Sequence, residues 1–583
     1  MSSNVGRNSL IMASGTMASR ITGQIRTILL AACLGTTGIA ANAYQTGAMI
    51  PQVLFTVISG GIFNAVLVPQ IVRTLKEHDA QERLNKLITL AIALLLGVTL
   101  LMMLATPLLT MLYLDHSWGP AERALVNAFT LWCMPQIFFY GLYTVLGQIL
   151  AAKDNFVTYA WSSVGANVIS CAGFTLFLVL FGNASREPLT FWTTNRVALT
   201  AGAWTLGVAF QAVILFAPLM RLGIHYRPQW GVSGIGLKAM GPVAAWSVGV
   251  MGVQELANIV NARITNGAPF AGDDLYGIAG NGSYQNAFTL YILPYSLIAV
   301  SVATAIFPKI SRAIAEHDLD GARDDLSGAL RNVGVLMMYF TMAIVVMPVP
   351  ITIALLPSVN VPEAKLIAGP MVALAIGLPL TSAYLLIQRT FYAFEDGKHP
   401  FLFQLMANVI QVVIELCIAA FAPPRFWTAG IAVAITLSYI LSFPSLVLML
   451  RRRFGGHLDG RRITVTFLKT FVAALVAGVA AWLLTDPVLG LLGADISRGR
   501  LGWVHAFVFC VIMTIVTALI YAVMLVVLRC GEFTDLLGGV LRRLGLGGRL
   551  GLSGRFGLGG RFGLGGRLPN PFRTPRPPHH RRQ

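Results

Sequence analysis

Apolar residues in this chain cluster in runs of about twenty or more, separated by short polar stretches. Fourteen such runs can be read, at 9–34, 41–72, 87–113, 122–151, 157–182, 194–219, 241–265, 282–309, 328–356, 364–394, 400–421, 427–450, 463–485 and 501–528. A bilayer core of ~30 Å is crossed by about 20 helical residues, whereas barrel strands are alternating segments of about ten. The pattern therefore predicts an all-α polytopic membrane protein with fourteen transmembrane helices. Composition agrees: 56% of the 583 residues are hydrophobic and only 11% are charged, against about 25% charged in soluble domains.

Loop charge alternates. One side carries Arg73, Lys76, Arg83 and Lys86, then Lys153, then Arg221, Arg227 and Lys238, then Lys309, Arg312 and Arg323, then Lys398, then Arg451 to Arg453 with Arg461 and Arg462. The other side carries Arg123, Arg186, Lys365, Arg425, Arg498 and Arg500. The positive-inside rule then puts both termini in the cytoplasm. The two halves also echo each other at an offset of about 240 residues, which is a sequence repeat in the sense of duplicated transporters. Val68-Pro69 answers Phe307-Pro308, Met134-Pro135 answers Leu378-Pro379, and Ala166-Asn167-Val168-Ile169 answers Ala407-Asn408-Val409-Ile410. Six spans per half give both halves the same orientation. The expected architecture is two pseudo-symmetric six-helix lobes around a central cavity (1–222 and 223–453), two extra C-terminal helices (454–530), and a basic tail (531–583).

Polar residues inside the spans are the candidate chemistry. Arg20 and Arg26 interrupt the first span, where a guanidinium costs at least ~2.5–3.5 kcal/mol at the bilayer centre. Counting 1.5 Å per residue from Ser9 puts Arg20 about 16 Å in, near mid-membrane. Six residues separate the pair by about 120° around the helix axis, so Gly23 is expected to bend or unwind the helix and bring both toward the cavity. Snorkelling to headgroups fits Arg26 better than Arg20. Asn42, Gln45, Thr46, Gln52 and Asn64 make the second span a wall of uncharged donors and acceptors suited to a sugar or peptide, with Pro51 as an expected kink. Arg263 is a third intramembrane cation. Glu255 and Asn258 on span 7, with Asn408 and Glu415 on span 11, form a candidate oxygen-ligand site for a coupling cation, Na+ or H+. No firm metal site and no other cofactor are expected.

The six cysteines are scattered without a CxxC pair, which indicates neither a disulfide framework nor a zinc site. Leu30-Ala31-Ala32-Cys33 matches a lipoprotein box, but the arginines interrupt the apolar region such a signal needs. P-loop, GxSxG and HExxH signatures are absent, so the chain reads as a transporter rather than an enzyme. From Arg529 on, eleven arginines face Glu532 and Asp535, and Arg543, Arg549, Arg555, Arg561 and Arg567 recur every six residues in a Gly-rich background. Such a tail reads as disordered and as an electrostatic anchor on anionic membrane lipids. No nucleic-acid module accompanies it, so no nucleic-acid partner is expected.

These residues carry a resemblance. Ser19-Arg20-Ile-Thr-Gly23-x-x-Arg26, Leu34-Gly35, Ala41-Asn42-Ala43-Tyr44, Pro51 and Gly61-x-Phe63-x-x-x-x-Val68-Pro69 resemble the N-terminal signature of the MurJ/MviN lipid II flippases. Arg389-Thr-Phe391-Tyr392-Ala393-Phe-Glu-Asp396-Gly-Lys398-His-Pro400 resembles that family's tenth-span exit motif. The likeness covers roughly residues 5–530 and excludes the tail. It implies a member of the multidrug, oligosaccharidyl-lipid and polysaccharide exporter superfamily in the bacterial cytoplasmic membrane. The implied activity is to move lipid II, the undecaprenyl-pyrophosphate-linked peptidoglycan precursor, across that membrane by alternating access. Arg20 and Arg26 would hold its headgroup and spans 13 and 14 its lipid tail, with cell-wall synthesis or division proteins as partners. The chain departs from the family at Phe55, Thr56 and Thr289, which replace arginines, at Asn42, which replaces an acid, and at Gly60, which replaces a glutamate. Arg263 and Arg389 are the candidates to compensate. The alternatives are a related polysaccharide-lipid or drug exporter of the same fold and a non-transporting cell-wall scaffold.

Overall fold

The computed structural model describes residues 2–59, 80–153, 155–231 and 242–535. Asn64, Gly60, Val68-Pro69 and the arginine repeats of the tail lie outside these residues. Two units are separated, Met1–Cys530 and Gly531–Gln583. Of the second, residues 531–535 are described and are helical.

Among its described residues the first unit is helical apart from short connections, with a lone bridge between Asp495 and Arg500 as the sole β pairing there. The first half comprises α1 (Ser2–Leu34), α2 (Gly38–Ile58), α3 (Ala80–Leu104), α4 (Thr106–Tyr113), α5 (Pro120–Cys133), α6 (Gln136–Ala152), α7 (Val157–Phe181) and α8 (Ala203–Val213). The second comprises α9 (Pro242–Ala271), α10 (Asn281–Pro294), α11 (Val300–Ala315), α12 (Leu319–Val346), α13 (Pro348–Leu355), α14 (Val361–Ile376), α15 (Leu378–Ala393), α16 (Lys398–Phe421) and α17 (Trp427–Arg453). Two long helices follow, α18 (Gly460–Leu491) and α19 (Trp503–Val527).

Among the described residues, ten helical stretches are long and apolar enough to cross a membrane, and the α14–α15 pair, bent by 48°, makes eleven. The other three predicted spans correspond to α1, α2 and α9. They are helices, yet they fall outside that set because they carry the intramembrane arginines, glutamines and asparagines. Helices that face water rather than lipid can afford such residues.

The two halves repeat one pairing scheme. In the first, α1 packs on α7, α2 on α5, α3 on α6 and α7 on α8. In the second, α9 packs on α16, α10 on α14, α12 on α15 and α16 on α17. Proline breaks match as well: Pro135 separates α5 from α6, and Pro379 opens α15 directly after α14. A proline lacks the N–H that would continue the ladder, so the same residue at the same place interrupts both fourth-position spans. Each half has its own buried apolar core, one drawn from Cys33 to Val208 and one mainly from Ile264 to Met513. Lipid tails are as apolar as leucine, so close packing of small residues carries helix association. Gly207 is an instance: a Cβ there would lie 2.3 Å from the Ala166 carbonyl oxygen.

Helix α1 runs unbroken through Gly23, contrary to the bend expected there. A Cβ on Gly23 would make only an ordinary contact, 3.5 Å from Asn167 Nδ2. Asn167 donates to the Ser19 carbonyl at 3.0 Å and to the Thr22 hydroxyl at 3.1 Å, fixing α1 on α7.

Candidate functional site

The two halves meet through a buried polar seam near the loops at 35–37 and 272–280. Asn42 Oδ1 accepts from the Gly282 backbone N–H at 2.7 Å. Gly282 lies in the first turn of α10, whose N-cap Gly280 has no side chain to offer. Asn42 thus caps α10 from another helix, satisfying an N–H that an N-cap residue would otherwise take. A Cβ on Gly280 would lie 2.7 Å from the same oxygen, so glycine leaves room for the cap. Thr46 donates to Asn266 Oδ1 at 3.1 Å and accepts from Asn281 Nδ2 at 2.9 Å. Ser283 donates to the Thr36 carbonyl at 3.1 Å, and Trp118 Nε1 donates to the Asn266 carbonyl at 3.1 Å. All six side chains are buried. Arg263 points to the same region and donates to the Met111 carbonyl at 3.4 Å, in the last turn of α4. It reaches carbonyls that a helix end leaves unpaired. Asn42 and Arg263 therefore stand in the seam between halves and not beside Arg20 and Arg26.

Farther from these loops, Arg20 and Arg26 face different surroundings. Arg20 Nη1 donates to Ser296 Oγ at 2.7 Å, and Nη2 lies 3.4 Å from the Ser296 carbonyl. Ser296 belongs to a π turn, Tyr295–Ala299, between α10 and α11. Pro294 precedes it, and π turns inside helices often mark functional positions. Arg20 also borders a 300 Å³ pocket with Thr16, Ser19, Tyr143, Tyr159 and Ser163. Helix α15 packs against the π turn, and Arg389 lies within electrostatic reach of Tyr295.

Arg26 lies with its guanidinium carbon 4.4 Å over the Trp204 ring. Trp204 stacks on Tyr44, and Tyr44 meets Phe129 edge-on. This cation–π seat holds Arg26 inside the protein, where snorkelling was the alternative reading. The 170 Å³ pocket around it is lined by Gln45, Gln52, Gln285, Asn286 and Thr289 as well as Tyr44 and Trp204. Of the second-span residues predicted as lining, Gln45 and Gln52 are here. Phe55 packs instead on Tyr140, with ring centroids 5.5 Å apart. Among the described residues, neither Arg20 nor Arg26 has a carboxylate within ion-pair distance. Both guanidinium charges are available to an anion or a polar ligand.

The residues read as a cation site fall into two groups. Glu255 accepts from Asn258 Nδ2 at 3.0 Å, Asn258 Oδ1 lies 3.4 Å from Gln254 Nε2, Gln404 donates to Gln254 Oε1 at 2.6 Å, and Gln404 also lies 2.9 Å from Asn408 Oδ1. A chain of amides thus joins Glu255 on α9 to Asn408 on α16. Glu415 stands apart: fully buried, it accepts from Gln411 at 2.8 Å on one oxygen and has no partner on the other among the described residues. No cluster of three acid, histidine or cysteine side chains fit for a metal occurs among the described residues.

At the end of α15, Asp396 accepts from the His399 backbone N–H at 3.2 Å, from the His399 ring at 2.5 Å and from Arg453 at the end of α17. Phe391 stacks on His399 with centroids 5.6 Å apart. Burial pushes the Asp396 carboxyl up, but the hydrogen bonds from His399 and Arg453 outweigh it and hold the carboxyl below its ordinary range.

An apolar groove lies between α12, α15, α17 and α18. It consists of a 610 Å³ part and a 650 Å³ part that share Leu380 and Phe467. Sequence reading missed its extent, because a groove-facing leucine looks like any lipid-facing one. It also missed Trp204, Ser296, Gln285 and Asn286. Pro294 was the available signal for the irregular turn, and nothing in the apolar run around Trp204 distinguishes that tryptophan.

The family model described as "Lipid II flippase MurJ" matches residues 30–493. Relatives named "Probable lipid II flippase MurJ" include one from Rhizobium tropici, 24% identical over 493 residues and covering 82% of this chain and 88% of its own length. One from Vibrio cholerae is 24% identical over 518 residues, covering 85% and 92%. A solved structure described as "Lipid II flippase MurJ, inward closed conformation" aligns with a TM-score of 0.67 at 18% identity, over 92% of this chain and 99% of that one. An inward-facing multidrug resistance MATE family transporter of the MOP superfamily aligns at 0.58 with 15% identity, over 76% and 98%. At such identities the structural likenesses speak for the fold.

Proposed function

The chain belongs to the MurJ family of lipid II flippases, transporters rather than enzymes, and from that premise we propose that it carries lipid II from the inner to the outer leaflet of a bacterial cytoplasmic membrane for peptidoglycan synthesis. In this reading the chain has fourteen spans, two six-helix lobes (1–222 and 223–453), the added pair α18 and α19 (454–530), and both termini in the cytoplasm. The polar seam of Asn42, Thr46, Asn266 and Asn281 is then the outer closure. With it shut, the cavity between the lobes faces the cytoplasm, and Arg20 and Arg26 receive the pyrophosphate-linked headgroup. A guanidinium binds phosphate oxygens through two parallel charge-assisted bonds, which a lysine cannot reproduce. Rocking of the lobes breaks the seam and opens the site outward while the polyprenyl chain stays in lipid. The groove beside Leu380 and Phe467 is nearly all apolar and suits that chain.

The observation that carries the reading is two intramembrane arginines that have no acid partner among the described residues, each at a pocket. A coupling cation, Na+ or H+, belongs in this scheme at the amide chain from Glu255 through Asn258 to Asn408 or at the buried Glu415. The basic tail meets anionic lipid at the cytoplasmic surface or recruits cell-wall synthesis or division proteins. The test is the appearance of labelled lipid II in the opposite leaflet of proteoliposomes. Wild-type protein is expected to translocate it and Arg20→Ala to fail. Full complementation of flippase-depleted cells by Arg20→Ala would remove the assigned role.

A further inference from the structure

Arg26 and Arg20 cannot grip one anion together. On a straight helix, six residues separate them by about 9 Å along the axis and about 120° around it, and they border different pockets. The Arg26 pocket is also built unlike an anion site. An anion site gathers donors. Here the guanidinium face is taken by Trp204, and the polar part of the surrounding wall is side-chain amides and two threonines, Thr27 and Thr289, set among apolar residues such as Met49 and Phe174. Each amide offers two donors and an acceptor, the mixture that sugar hydroxyls and acetamido groups require.

A second observation points the same way. Tyr44 lines the pocket and is fully buried, yet its hydroxyl has no hydrogen-bond partner among the described residues. A buried hydroxyl left unpaired is costly, so this wall of the pocket keeps an unmet demand for a polar, uncharged group. The volume, 170 Å³, equals about five to six waters at ~30 Å³ each, room for one ring and not for a whole headgroup. The Arg20 side differs. Its guanidinium is exposed and rests on the neutral Ser296 hydroxyl, a contact that a phosphate outcompetes because it brings a full negative charge and accepts two parallel N–H bonds.

We propose that the pocket formed by Arg26, Gln45, Gln52, Gln285 and Tyr44 is a saccharide subsite that takes one neutral, N-acetylated sugar, while the phosphates go to Arg20. This rests on the lipid-linked-sugar reading above and divides the headgroup between two places. Full-length protein in nanodiscs tests it with two probes, lipid II and sugar-free undecaprenyl pyrophosphate. Gln45→Leu/Gln285→Leu is expected to weaken lipid II binding about tenfold and to leave undecaprenyl pyrophosphate within about twofold. Arg20→Gln is expected to weaken both. Gln45→Asn, which keeps the polarity and shortens the reach, should show the same selectivity as the double leucine variant and guards against misfolding. Equal loss of both lipids in the glutamine variants makes the pocket a phosphate site and overturns the proposal, as does no loss of either. Wild-type protein that binds neither lipid overturns the flippase reading itself.

Discussion

Arg20 donates to the Ser296 hydroxyl at 2.7 Å, a bond that joins the first helix of one half to the π turn of the other. It ties the two halves at a point that an incoming phosphate would also claim. The bond is exposed, so its net worth is about 0.5–1.5 kcal/mol. Ser296→Ala is therefore expected to shift the melting temperature by only a few degrees and to keep complementing flippase-depleted cells, while Arg20→Ala does not. If Ser296→Ala is as inactive as Arg20→Ala, the bond between halves is the essential feature and anion capture is not.

The seam at Asn42 predicts a conformational phenotype. Asn42→Ala leaves the Gly282 N–H without its cap, at a cost of about 1–2 kcal/mol. That cost falls on the closed arrangement alone, because the open one exposes the same N–H to water. A cysteine placed at Ser283, buried in the seam, should react several-fold faster with a membrane-impermeant thiol reagent when Asn42 is alanine. An unchanged rate would mean that the seam does not open there.

Asp396 predicts an acid limb. Its carboxyl is held below the ordinary range by His399 and Arg453, with burial opposing. A depressed folded value stabilises the protein above the unfolded pKa of ~3.9 and loses that stabilisation as pH falls through the folded value. Asp396→Asn should lower the melting temperature at pH 7 and flatten its decline below about pH 4. With Asp396 buried and Arg453 half-exposed, the cost at neutral pH is expected to be about 1–3 kcal/mol. Parallel melting curves for the two proteins across that range would refute the assignment.

Leu380 borders both parts of the apolar groove. Leu380→Trp fills the junction. It is expected to slow translocation of the full-length polyprenyl substrate several-fold while sparing an analogue with a short chain, measured in the same proteoliposomes. Equal slowing of both would place the long chain elsewhere.

Much of this protein was legible before folding. Run length dictates helices, because a bilayer leaves the backbone no partners except its own. The repeat was readable too, because Met134-Pro135 and Ala166-Asn167 return in the same order as Leu378-Pro379 and Ala407-Asn408 at a nearly constant offset. So was the anomaly of Arg20 and Arg26, which follows from the cost of burying charge in lipid. Helical period gives a side chain's direction around its own axis and says nothing about what stands opposite. Only the packing of α2 against α10 turned Asn42 from a wall residue into a cap, and only the approach of α9 to α4 sent Arg263 to the Met111 carbonyl. The unbroken run of α1 through Gly23 kept the two arginines on separate faces. Tertiary structure then gave Arg20 a serine from the other half and Arg26 a tryptophan from its own, because each contact joins residues at least 178 positions apart in the chain.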